Sequence, residues 1–129
     1  MDLLLKGNAI ANSSVVVRKR LLEEIGGLNE SAKMIAAEDY NAWLRISKLT
    51  NQFLYLPRKL GYYLIHNQGV SKKDMSKPYI ESTKEFICDL GERKRKIVES
   101  KAAYMSGRYY YLEKEYKIAT LKLIESIAG

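Results

Sequence analysis

Asn12-Ser13-Ser14-Val15-Val16-Val17 is the stretch on which the fold class turns. Three β-branched residues in a row after a polar opening read as a buried strand, because branching at Cβ suits a pleated surface better than a helix. Residues 18–25 follow as a short helix with Leu21, Leu22 and Ile25 on one side. Gly26-Gly27 stops it, since glycine takes the left-handed cap conformation without a Cβ penalty. Residues 28–37 read as a loop. Glu38 and Asp39 then open a second helix, reaching about Lys48, with Trp43, Leu44 and Ile46 inward. Acids are favoured in a first helical turn by the free N–H groups and the helix dipole. Residues 53–56 and 60–66 read as two more strands around Pro57-Arg58-Lys59, with Tyr62, Leu64 and His66 on one face.

From Ser76 onward only helix signals appear. Ser76 can cap, Pro78 is acceptable in a first turn, and Ile80, Ile87 and Leu90 form one stripe. Gly91 ends or interrupts this helix, and further helices are expected over 92–112 and 116–127. That last pair carries Gly107, Tyr110, Tyr116 and Ala119 in the order and spacing of a tetratricopeptide helix–turn–helix. A plain antiparallel helical hairpin is the preferred reading.

Composition narrows the class. The chain has 129 residues, 47% hydrophobic and 29% charged, which excludes collagen-like, mucin-like and wholly disordered chains. At this length folding buries roughly two-thirds of the unfolded surface, enough for a core without metal or disulfide staples. The longest apolar runs, Leu3-Leu4-Leu5 and Val15-Val16-Val17, are far too short to span a bilayer. No secretory signal is visible after Met1-Asp2. The single cysteine, Cys88, cannot form an internal disulfide, suits a reducing compartment and reads as a small buried hydrophobe. The expected location is cytoplasmic, with a peripheral place at the inner membrane face left open.

The net charge of +7 is spread along the chain, with one dense run, Arg93-Lys94-Arg95-Lys96. That run reads as a solvated helix face, and without a nucleic-acid motif beside it a nucleic-acid partner is not expected. A mild positive field suits phosphorylated or pyrophosphate substrates equally well. The ten tyrosines, including Tyr109-Tyr110-Tyr111, read as helix packing.

Three blocks in the first half, taken in order, resemble the family 2 glycosyltransferases. The first runs from Ser13-Ser14-Val15-Val16-Val17-Arg18-Lys19 through Leu22-Glu23-Glu24-Ile25-Gly26-Gly27-Leu28-Asn29-Glu30. The second is Glu38-Asp39-Tyr40-Asn41-Ala42-Trp43-Leu44-Arg45-Ile46. The third is Leu56-Pro57, then Gly61-Tyr62-Tyr63-Leu64-Ile65-His66, with Val70-Ser71 after it. The resemblance implies an α/β fold: a partial GT-A-like mixed sheet with short helices over 1–75, followed by an all-α extension over 76–129. It also implies an inverting transfer of sugar from a nucleotide-sugar donor to a glycan acceptor, in polysaccharide or cell-surface glycan synthesis. Asp39 maps onto the family's general base, and a carboxylate in hydrogen-bond reach can take the proton of an acceptor alcohol. Glu38 is its supporting carboxylate. His66 maps onto a histidine that helps bind a divalent metal (Mn or Mg) or the diphosphate, with a structural strand-end histidine as the other reading. Arg45 is a phosphate or carboxylate partner, Trp43 is core, and Lys72 lies in the family's acceptor-side segment.

The chain departs from the family in one large respect. It has no Asp-x-Asp pair and no opening nucleotide-binding unit, so it is expected to be the acceptor-side part of an enzyme and inactive alone. Strands without partners would expose edges, through which a homodimer is expected. The alternative is a non-enzymatic interaction module built on the helical, tetratricopeptide-like tail.

Overall fold

The computed structural model describes residues 2–62, 64 and 72–128. Six α-helices follow one another: α1 (Asp2–Lys6), α2 (Lys19–Glu24), α3 (Glu38–Leu49), α4 (Ser76–Ile87), α5 (Glu92–Leu112) and α6 (Tyr116–Ala128). Single 3-10 turns occupy Asn12–Ser14 and Ala32–Met34. Among the described residues there is no β-strand. The expected α/β fold with a mixed sheet is therefore corrected to an all-helical one.

The physical reason lies in pairing. Val15 and Val17 are half-buried while Val16 is fully exposed, so the segment alternates and is not the buried strand expected of it. Among the described residues no neighbouring segment supplies a ladder, and an extended chain without one is not a strand. The side chains of Val15 and Val17 pack instead on the cluster of Ala42, Trp43 and Ile46 on α3. Residues 53–56 carry no regular structure, and Leu54 and Tyr55 are more than four-fifths exposed. Most of the second expected strand, His66 included, lies outside the described residues. The strand edges expected to carry a homodimer are thus not formed among the described residues.

The helices follow their sequence signals more closely. Gly26 and Gly27 both have positive φ, +74° and +79°, closing α2 as expected. On α3, Tyr40, Trp43, Leu44 and Ile46 are buried. α4 buries Tyr79 and Phe86 and leaves Ile80 exposed, while of the expected stripe Leu90 is buried and Ile87 packs at the edge of the core. The stack of Tyr79 on Tyr40, with ring centroids 5.8 Å apart and planes 8° from parallel, sets that rotation. Ser76 is the first helical residue of α4 and not its cap; Asp74 Oδ1 accepts from the Ser76 N–H at 2.9 Å. Cys88 is exposed, which corrects the expectation of a buried thiol.

The main core draws on the whole chain. Leu4, Tyr40 and Leu44 meet Tyr79, Phe86, Leu90, Val98 and Ala102 in one cluster. α5 and α6 close the molecule as an antiparallel hairpin around buried Gly107 and Ala119. No helix among the described residues is long and apolar enough to cross a membrane.

Candidate functional site

Residues 36–39 set the direction of the α3 N-terminus. Ala36 has φ +68°, a left-handed conformation that costs an L-residue about 1–2 kcal/mol. Ala37 is the N-cap and makes no side-chain cap bond, so Glu38 and Asp39 are the acids of the first turn. The Tyr40 N–H donates to Asp39 Oδ1 at 2.6 Å. Burial pushes the Asp39 carboxyl above its ordinary 3.8, and the adjacent Glu38 charge adds to this. Hydrogen bonds from the Tyr40 N–H and the Asn8 side chain act in the opposite direction without cancelling the rise.

Glu38 Oε2 is buried and has no hydrogen-bond partner among the described residues. A buried carboxylate oxygen without a donor is costly, and such groups cluster where function requires them. The pair therefore consists of one half-buried carboxyl whose proton affinity is raised by burial and a neighbour with an acceptor unfilled among the described residues.

Two residues that the sequence did not single out support this pair. Asn8 Oδ1 accepts from the Ile10 N–H at 3.1 Å, which fixes the side chain that also reaches Asp39. The Tyr40 hydroxyl donates to Leu3 O at 3.1 Å, tying the start of α3 to α1. Burial pushes Tyr79, stacked on Tyr40, up to about 12, so both phenols stay neutral at physiological pH. Asn8 follows Gly7, whose φ of +87° is a left-handed conformation that favours glycine. The Tyr40–Tyr79 stack joins residues 39 positions apart and leaves no local pattern.

Arg45 lies two turns further along α3, where its guanidinium is held by the turn after α2. Its Nη1 donates to Ile25 O at 2.6 Å and its Nη2 to Gly27 O at 2.8 Å, bracing the glycine turn after α2. Both terminal nitrogens are thus engaged by backbone carbonyls, and Nε is buried. Lys72 is exposed just before α4. His66 lies outside the described residues. The structure thus brings Glu38 and Asp39 together and sets Arg45 apart from them.

An open cleft of about 430 Å³ runs between α3 and α4, lined in part by Asn41, Arg45, Glu81, Lys84, Glu85 and Cys88. Asn41 Nδ2 donates to Ser82 O at 2.9 Å across it, so the cleft is braced. The described residues form no group of three or more His, Cys, Asp or Glu that could hold a metal ion.

No family model, curated protein or solved structure matches this chain. With no matching family and no sheet among the described residues, assignment to the family 2 glycosyltransferases and their GT-A fold is overturned.

Proposed function

We propose that the chain supplies the acceptor side of a nucleotide-sugar-dependent transferase site, with Asp39 as general base and Glu38 as its supporting carboxylate. One observation carries this reading: a buried Glu38 oxygen, unpartnered among the described residues, beside a carboxyl whose proton affinity is raised by burial. The chemistry resides in the side chains and does not require a particular scaffold.

Asp39 takes the proton of an acceptor hydroxyl as the oxygen attacks the anomeric carbon. The bond from that carbon to the nucleotide phosphate oxygen breaks, and its electron pair leaves with the diphosphate. Attack opposite the leaving group inverts the anomeric centre. Raised proton affinity suits a base that must hold the proton once taken. Glu38 Oε2 can accept a second hydroxyl of the same acceptor, which would fill the vacant acceptor position and orient the first. The partners are a nucleotide-sugar donor and a glycan acceptor.

The test has two readouts. Oligosaccharide titration followed by NMR is expected to shift the Glu38, Asp39 and Asn8 resonances; shifts confined to other residues would remove the site. In a preparation with measurable transfer, Asp39→Asn is expected to lower turnover by about 10²–10⁴-fold. Unchanged turnover would remove Asp39 as base.

A further inference from the structure

α6 is apolar on two opposite sides, and only one of them is covered. Its inner side holds Ala119, which is 2% exposed, and Leu123, which lies against Gly107 of α5. At 100° per residue, Leu121 and Ile124 fall about 200° and 140° around the helix from Ala119. They are 69% and 59% exposed, and Ile127 on the flank is 86% exposed. A helix that is apolar on opposite faces belongs between two packing partners, and here α5 supplies one.

The charges beside this stripe point to the second. Lys117 sits one turn before Leu121 and Glu125 one turn after it, both on the exposed side. In an antiparallel pair of α6 helices centred on Leu121, Lys117 of each copy stands level with the partner's Glu125. Opposite charges then meet at both ends of an apolar centre, while a parallel pair would set like charges level. This is the self-complementarity that a two-fold interface requires. Glu125 already accepts from Lys122 at 2.7 Å through Oε2, which leaves its other oxygen for the partner's lysine.

We infer that the outer face of α6 is an isologous dimer interface, packed antiparallel on α6 of a second copy about Leu121. The inference is independent of the carboxylate site. A helix of 13 residues is ~20 Å long, so the contact falls at the small end of specific interfaces and dimerisation is concentration-dependent.

Sedimentation velocity of the full chain over a hundredfold concentration range tests it. The weight-average mass is expected to rise from 14.8 kDa toward twice that value. Leu121→Glu is expected to hold it at the monomer value with an unchanged circular dichroism spectrum. Lys117→Glu and Glu125→Lys should each weaken association at least several-fold, and the double swap should restore it, which loss of folding cannot mimic. A wild-type chain that remains monomeric throughout overturns the proposal, as does failure of the double swap to rescue. Binding of the monomer to phosphatidylserine vesicles, abolished by Leu121→Glu, would assign the face to a membrane and overturn it equally.

Discussion

At the scale of single residues, Asp39 ties the proposed chemistry to stability. Its folded-state pKa lies above the ordinary 3.8 because burial disfavours the charged form. The folded chain therefore binds more protons than the unfolded chain between 3.8 and the raised value. Stability from this group is full below 3.8 and is lost as pH rises through the raised pKa. Asp39→Asn is accordingly expected to raise the melting temperature at neutral pH, and the gain should shrink to nothing below pH 3.8; thermal melts across pH check this. The place of Glu38 and Asp39 at the start of α3 was legible in the sequence because acids mark a first helical turn, while their choice as site residues came from the resemblance alone. The bracing role of Arg45 was not legible, since its acceptors are carbonyls 18 and 20 residues away, and any residue can present a carbonyl. The exposure of Cys88 follows from where α4 ends, which composition does not reveal.

Among the elements, the α5–α6 hairpin depends most on one small side chain. A Cβ at Gly107 would lie 2.9 Å from Leu123 Cγ and 3.1 Å from the Leu123 backbone nitrogen. The side chain can turn aside, but the backbone cannot, so the helices must move apart. Gly107→Ala is expected to cost about 1–3 kcal/mol, read from urea denaturation, with an equal cost absent at exposed Gly91. The helices from Lys19 onward were legible because capping glycines, first-turn acids and apolar spacing are local, whereas α1, only five residues long, is too short to show a period and was not foreseen. Strands were not legible, because alternation specifies an extended chain while a strand also needs a neighbour. Val15 and Val17 show the difference, extended and packed on Trp43 but unpaired. On α4 the more apolar Ile80 is exposed and Tyr79 buried, because the stack on Tyr40 sets the rotation and that partner lies 39 residues away.

For the molecule as a whole, the core unites residues that are far apart in the chain. Leu4 and Leu44 come from one side of the exposed segment around residues 53–60, and Phe86, Leu90 and Val98 from the other. Asp74 adds a polar tie by accepting from both the Ser76 N–H and the Ser106 hydroxyl. Lys48 over the Phe86 ring, 4.5 Å from its centroid, adds another between α3 and α4. Arg58 and Lys59 sit exposed in that connecting segment, with no helix to shield the peptide bonds after them. Brief treatment with trypsin is therefore expected to cut there first, ahead of the lysines and arginines held in helices. Neither resulting piece owns a complete core, so each is the other's missing half. The nicked protein should elute from a sizing column as the intact chain does while running as two bands in denaturing gels, and separated pieces should regain helix content only when mixed. The covalent link across residues 58–60 would then be dispensable for the fold, with the interlocking apolar surfaces acting as the true bond between the two parts.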